Sequence, residues 1–368
     1  MRIALVVPGG VDVSAEYRVI PALLALIRRL ARRHDVCVFA LRHEPQQGDW
    51  ELFGVPVHNI GSGHTRVRGV LAVCAAHRRR PFDVIHAIWS GAPGMVAVTA
   101  ARILGVPSVV HVAGGELVAL PAIGYGGRLN WKGRRHEAVV LRAATQVTAA
   151  SGPMLAALRE LGIPARRVPL GVDLELWPSR RPVARVSQGP ARLIHVASLN
   201  RVKDQPTLLR ALVALRDSGF AFEMQVVGED TLGGAIQALA ASLGLGSTVR
   251  FHGFLTQRAL RPLIEASDIL VISSRHEAGP LVLHEAAVAG VPTVGTAVGQ
   301  IADWAPSAAR AVPVGEPTLL AQQIATLLTD ERQRLAVAQE AWGVATRENA
   351  DFTACSFEEI YEALKAGG

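Results

Sequence analysis

Cysteine is nearly absent from this 368-residue chain: Cys37, Cys74 and Cys355 are far apart, and no CxxC pair occurs. That excludes a zinc ribbon and a disulfide framework and fits a reducing cytosol. Aromatic residues make up only 5%, which argues against a stacking surface for single-stranded nucleic acid. The first apolar run, Ile3 to Val7, ends at Pro8-Gly9-Gly10 and is too short for a signal peptide. The longest apolar region, near residues 93–112, is broken by Arg102, Pro107 and several glycines, so no transmembrane helix is expected. The chain has no GxxxxGK[ST], no GxGxxG after the first strand, no HExxH, no GxSxG and no DxD metal–diphosphate motif. A P-loop, a nicotinamide or flavin site, a metal mechanism and a serine nucleophile are therefore not indicated, and no cofactor or metal is expected.

Half of the residues are hydrophobic and 19% are charged, which excludes disorder. Net charge is +7 and unevenly spread. Residues 1–180 hold 22 Lys and Arg against 12 Asp and Glu, a net +10, and the remainder carries −3. A basic first half favours an anionic partner or is a plain solvated arginine surface. In the first helical pattern, Ile20, Leu23, Leu24, Ile27 and Leu30 make an apolar stripe, with Arg28, Arg29, Arg32 and Arg33 expected opposite and solvent-facing. An anionic membrane surface would suit such a face. Lysine is scarce, with only Lys132, Lys203 and Lys365.

Length suggests two domains. Short apolar runs alternate with helical patterns in two successive sets of about six strands. This is an α/β reading: two Rossmann-like doubly wound domains with parallel sheets. The boundary is expected within residues 172–190, where Pro178, Pro182, Gly189 and Pro190 interrupt a polar, basic stretch. That gives domains 1–178 and 179–350 with a closing helical segment 351–368. The loop Ala113–Arg135 is rich in glycine and holds Tyr125 and Trp131; a loop of that length is mobile or functional.

Two features point to an anionic, hydroxylated ligand. The first strand runs into Gly9-Gly10 before a helix, a turn that lets backbone approach a phosphate or serves simply as a tight turn. The stronger feature is Glu277-Ala278-Gly279-Pro280-Leu281-Val282-Leu283-His284-Glu285. Pro280 suits the first position of a helix, and the amides of Gly279, Leu281 and Val282 would face an anion. Paired carboxylates accept hydrogen bonds from a polyhydroxy ligand. The bland alternative is a helix-dipole carboxylate at 277 and a solvent-facing Glu285.

Ser273 to Glu285, continuing through Ala289-Gly290-Val291-Pro292, resembles the E-x7-E segment of retaining glycosyltransferases of GT-B fold, family 4 above all. The likeness spans nearly the whole chain. Asp83-Val84-Ile85-His86-Ala87 resembles the DVIHAH strand end, Val110-His111 with Gly114-Gly115 a THG-type loop, and Pro169 to Asp173 the PNGVD segment. Val196-Ala197-Ser198-Leu199 to Lys203-Asp204 resembles the GRL-x3-KG loop, and Gly228 and Phe251-His252-Gly253-Phe254 resemble further strand ends.

The resemblance implies two domains facing across a cleft, a last helix crossing back to the first, and metal-free sugar transfer with retention. On it, Glu277 would bind donor-sugar hydroxyls, Glu285 the ribose, and Lys203 the diphosphate, with Gly9 and Gly10 closing on the diphosphate. His111 would act near the reacting centre or be a buried structural histidine. Ser198, Arg201, Gly228, Gly253, Phe254, Ala278, Gly279, Pro280, Leu281 and Val282 complete the implied donor set. Tyr17, His86, Trp89, His111, Tyr125 and Trp131 form the acceptor set. The partners implied are a UDP-, GDP- or ADP-sugar and a lipid-linked, polysaccharide or small-molecule acceptor, in the cytoplasm or on the inner membrane face, with no nucleic acid. Ser198 stands where the family has arginine, with Arg201 nearby, and Pro280 where it has glycine. A nucleotide-sugar epimerase of the same fold class and a non-enzymatic basic membrane module are the alternatives.

Overall fold

Apolar runs of four to six residues become parallel strands here, because a strand covered on both faces has no polar side to show. The computed structural model describes residues 1–185 and 189–367. Residues 186–188 of the expected boundary stretch, and Gly368, lie outside the described residues. The chain divides into unit 1, Met1–Gly171 with Ala350–Gly368, and unit 2, Val172–Asn349.

Unit 1 runs β1 (Arg2–Val7), α1 (Pro21–Ala31), β2 (Asp35–Ala40), β3 (Gly48–Leu52), β4 (Val55–Asn59), α2 (Thr65–Arg79), β5 (Val84–Ile88), α3 (Ala92–Leu104), β6 (Ser108–Val112), α4 (Trp131–Ala143), β7 (Gln146–Ala149), α5 (Gly152–Glu160) and β8 (Ala165–Arg167). The sheet order is β3-β4-β2-β1-β5-β6-β7-β8. Eight strands replace the expected six. The additional hairpin, β3 and β4, is antiparallel and sits at the sheet edge. Its first strand is polar and largely exposed, so it lacks the apolar run of a buried parallel strand. Phe53 and Gly54, with φ of 56° and 76°, supply its two-residue turn.

Unit 2 runs β9 (Ala191–Val196), α6 (Gln205–Asp217), β10 (Phe222–Val227), α7 (Ala235–Ser242), β11 (Val249–Phe251), α8 (Gln257–Glu265), β12 (Ile269–Ile272), α9 (Leu281–Val288), β13 (Thr293–Thr296), α10 (Gly299–Trp304), β14 (Arg310–Val312), α11 (Pro317–Thr329) and α12 (Glu331–Arg347). All pairings in its sheet, β11-β10-β9-β12-β13-β14, are parallel. Alternate residues feed two cores: Leu193, Ile269 and Val271 enter one, and Ile194, Leu270 and Ile272 the other. That is the period-2 geometry of a sheet buried on both faces. Strand order reverses between β9 and β12, and such a switch point opens a crevice beyond the strands' carboxyl ends.

The chain's last helix, α13 (Ala350–Ala366), belongs to unit 1. Phe357, Ile360 and Tyr361 share its core with Leu23, Leu26 and Ile27 of α1. This packing corrects the reading of the arginine face in part: Arg32 and Arg33 are exposed as expected, whereas Arg28 and Arg29 are not. Arg29 is buried and its Nε lies 2.7 Å from Asp351 Oδ1. Arg33 pairs with Glu358 at 2.7 Å, and Arg28 lies over the Phe53 ring. An amphipathic repeat fixes which side is apolar but cannot reveal that an acidic helix 320 residues away covers the neighbouring side. Among the described residues, no helix is long and apolar enough to cross a membrane.

Candidate functional site

The site in unit 2 grows from the carboxyl ends of β9 and β12, the two strands at the switch point. After β9 the chain passes through Ala197 and Ser198 to Lys203 and into α6. After β12 it passes through Ser273 to Pro280 and into α9. The two loops are stapled together. Arg275 N donates to Val202 O at 2.7 Å, and Ser273 Oγ donates to Lys203 O at 2.8 Å. The Arg275 guanidinium meets Asp204 Oδ2 at 3.0 Å.

Across this staple Lys203 Nζ lies 2.6 Å from Glu277 Oε1, the atom that also accepts from Ser274 Oγ at 2.6 Å. Oε2 of Glu277 stays outside both bonds. The arrangement places one cation and one carboxylate beside the opening turn of α9. The amides of Leu281 and Val282 there have no intrahelical acceptor. Pro280 is not the first helical residue, as the sequence suggested. Its ψ of 118° is extended, and the helix begins at Leu281.

Glu285 does not face solvent: it is 2% exposed. Burial pushes its carboxyl up to about 7, against a pull downward from the Gln257 side chain. Its Oε1 has no hydrogen-bond partner. A buried acceptor without a donor is costly, and a ligand hydroxyl is one group that could relieve it.

The glycines work by close backbone approach. Gly228, with φ of 149°, packs where a Cβ would strike the Ala197 carbonyl and come 2.8 Å from Ser198 N, and its amide donates to Gly253 O at 2.8 Å. The ends of β9, β10 and β11 are thereby drawn together. Phe254 is half exposed beside this point, and Arg201 is exposed with no ion pair among the described residues. Gly299, with φ of 50°, was missed in the sequence. A Cβ there would clash with the Glu277 carbonyl and lie 2.7 Å from Ala278 O. Its signal was a glycine opening a helix three residues after β13 ends, a pattern too common to single out.

In unit 1, His86 and His111 do not reach the surface. Both are fully buried on the face covered by α13. His86 Nδ1 lies 2.6 Å from the Tyr361 hydroxyl, and the His111 ring meets Phe357 edge-on. Burial pushes His111 down to about 3 and His86 well below the usual imidazole range. In a THG loop the histidine directly precedes the glycine. Here that position is Ala113, and His111 lies two residues upstream inside β6. Its Nδ1 lies 2.9 Å from Thr148 Oγ1, and its Nε2 is buried without a hydrogen-bond partner.

Trp89 follows β5 with φ of 73°, a conformation rare for a bulky side chain. Two carboxylates that the sequence reading passed over lie beside it. Glu116 accepts from Ser90 N and from Gly114 N at 2.7 Å, and Glu137 accepts from Ser90 Oγ at 2.5 Å. Burial raises both acids, Glu137 to about 7. The glycine-rich loop is built by contact: Gly115 abuts the Tyr125 ring, Gly127 the Glu116 backbone and Gly133 the Gly127 carbonyl. Trp131 opens α4 and is exposed, as is Tyr17. Gly9 and Gly10 follow β1, Gly10 with φ of 75° against Ile20. Asp12, His43 and Glu44 gather one possible metal-ligand atom each within 4.8 Å, the one such group among the described residues. Arg18 already pairs with Glu44 at 2.6 Å.

Both units have family likenesses. Residues 19–172 match the Glycosyl transferase 4-like domain, and residues 179–342 match Glycosyl transferases group 1. The putative glycosyltransferase EpsF of Bacillus subtilis is 28% identical, over 87% of this chain and 89% of its own length. A D-inositol 3-phosphate glycosyltransferase of Salinispora arenicola is 34% identical over 49% of this chain and 43% of its own. Sucrose-phosphate synthase from Thermosynechococcus elongatus has the same fold, with a TM-score of 0.82 at 19% identity over the full length of both chains. HepE of Anabaena, solved with UDP and glucose, gives 0.78 at 20% identity over 99% of this chain and 100% of its own.

Proposed function

We propose, for a chain that belongs to the glycosyltransferases of GT-B fold and resembles family 4, transfer of a sugar from a nucleotide-sugar donor with retention at the anomeric carbon. The observation that carries this reading is the Lys203–Glu277 pair held at the opening of α9. A nucleotide-sugar needs cations and amides for its diphosphate and carboxylates for its hydroxyls, and unit 2 offers both within one stapled pair of loops. HepE, which shares the fold, was solved with UDP and with UDP-glucose; that supports the donor class. Glu277 Oε2 takes donor-sugar hydroxyls, and Glu285 takes the ribose hydroxyls. Lys203 and the amides of Leu281 and Val282 neutralise the diphosphate as it leaves, with Arg201 added where Ser198 has replaced an arginine. On this reading these groups supply the charge neutralisation that a metal ion provides in other enzymes. Trp89, Tyr125, Trp131 and Tyr17 are the acceptor-side candidates in unit 1, and the acceptor is a lipid-linked, polysaccharide or small-molecule hydroxyl.

Thermal-shift screening with UDP-, GDP- and ADP-sugars identifies the donor, since a ligand at 100 times its Kd stabilises by about 2.7 kcal/mol. With that donor, Glu277→Ala should lower turnover about 100-fold or more with the melting curve retained. Wild-type turnover in this variant would sink the assignment. NMR of the product gives the anomeric configuration, and conversion of the donor without acceptor would favour an epimerase.

A further inference from the structure

Behind the loop that carries Lys203 lies a buried polar chain that the proposed reaction does not use directly. His195, in β9, is fully buried, and its Nδ1 lies 2.9 Å from the carbonyl of Val271 in β12. A carbonyl only accepts, so Nδ1 carries the proton and Nε2 must accept. The atom facing Nε2, at 3.3 Å, is the side-chain nitrogen of Gln205, the first residue of α6. The same nitrogen donates to Ser198 O at 3.1 Å. Both protons of the Gln205 amide are thus spent on two acceptors. Turning the amide over would set its oxygen against a lone pair and a carbonyl. The orientation leaves Gln205 Oε1 buried without a donor, a cost that an apolar side chain at this position would avoid. The loop beyond is pinned at each step. Leu199 N donates to Glu229 O, Thr231 Oγ1 donates to Leu199 O, and Asn200 Oδ1 accepts from Val202 N and Lys203 N.

We infer that His195 and Gln205 are positioning residues that fix the path of the Ser198–Lys203 loop, and through it the reach of Lys203 to the donor diphosphate. The inference rests on the nucleotide-sugar reading. It answers the departure at position 198. An arginine side chain there would reach the ligand itself; serine supplies no such reach, and Gln205 holds the backbone carbonyl of residue 198 and with it the loop that carries Lys203. The orphaned Oε1 marks where stability is given up for this orientation. Burial keeps His195 neutral, pushed down to about 4, so Nε2 remains an acceptor throughout the neutral range.

The test uses the full chain with Gln205→Leu, which keeps size and loses the amide, Gln205→Asn, which keeps the amide on a shorter stem, and His195→Phe. Lys203→Ala serves as the reference. Calorimetry with UDP, GDP and ADP, and with uridine, guanosine and adenosine, separates phosphate from nucleoside contacts. Gln205→Leu and His195→Phe should weaken the bound diphosphate at least 10-fold and the matching nucleoside less than 2-fold. Gln205→Asn should recover part of that loss, and melting curves should stay cooperative. If Lys203→Ala loses diphosphate selectivity while Gln205→Leu keeps it, the positioning role is overturned and the donor site stands. If Gln205→Leu weakens nucleoside and diphosphate equally, its role is general packing and the inference fails. If the wild type binds none of the three diphosphates, the donor reading falls and the inference with it.

Discussion

Gly299 shows how one residue outside every motif governs a residue inside one. Its φ of 50° and the clash a Cβ would make with the Glu277 and Ala278 carbonyls mean that any side chain there pushes on the Glu277 segment. Gly299→Ala should cost about 1–3 kcal/mol of stability and lower turnover at least 10-fold, read from denaturant melts and steady-state rates. Wild-type rates would show the segment to be more tolerant than its packing implies. Glu285 gives a prediction with a pH sign. Its folded pKa, about 7, lies above the ordinary 4.5, so its contribution to unliganded stability is full below pH 4.5 and is lost as pH rises through 7. Glu285→Gln should therefore stabilise the unliganded protein at pH 8, by about 1–3 kcal/mol, with little effect at pH 4.5. The same change should weaken nucleotide binding at pH 8. If the variant is less stable than the wild type at pH 8, burial is not what holds the acid up.

The E-x7-E segment and the Lys203 loop were legible in the sequence because each is local: a strand end, a turn and a helix start lie within a dozen residues. Gly299, His195 and Gln205 were not, because their meaning arises only when separate strands are laid side by side. The burial of His111 was not legible either, because Phe357 of α13 reaches it from 246 residues away.

At the scale of elements, α1 and α13 are the pair that the sequence concealed. The stripe on α1 announced a buried face, and the arginines beside it read as solvated. Yet α13 brings Asp351 and Glu358 to them. The Arg29 side chain is 3% exposed while that of Asp351 is 57% exposed, and the asymmetry predicts unequal mutants. Asp351→Ala removes a partner from a buried guanidinium and should cost about 2 kcal/mol. Arg29→Met leaves a carboxylate already in water and should be close to neutral. Paired urea melts measure the difference, and equal costs would contradict the burial argument. The hairpin β3–β4 was hidden for the opposite reason: it sits at an edge, half in water, where no continuous apolar run is required.

At the scale of the whole molecule, the charge asymmetry read along the chain differs from the one the fold makes. With its closing segment, unit 1 holds 22 Lys and Arg against 14 Asp and Glu, a net +8, and unit 2 is left at −1. Part of the basic character of the first half is answered by the acidic end of the chain. The two units also differ in continuity. Unit 2 is one stretch, Val172–Asn349, with a core on each face of its sheet and every donor-side residue except Gly9 and Gly10. Unit 1 needs both ends of the chain, since Phe357, Ile360 and Tyr361 of α13 complete the core that Leu23, Leu26 and Ile27 begin. The fragment 172–349 should therefore fold alone, melt cooperatively and bind the nucleoside diphosphate found for the full chain within about 10-fold of its Kd. The fragment 1–171 should expose the α1 side of its core and aggregate, since an uncovered apolar face of this size is an association site. Adding residues 350–367 through a flexible linker should restore its solubility. Size-exclusion chromatography and calorimetry on the three fragments decide the matter. A soluble, cooperatively folding 1–171 would show that α13 is dispensable to unit 1. A 172–349 fragment that folds yet ignores the diphosphate would show that the donor needs more than the residues gathered around Lys203 and Glu277.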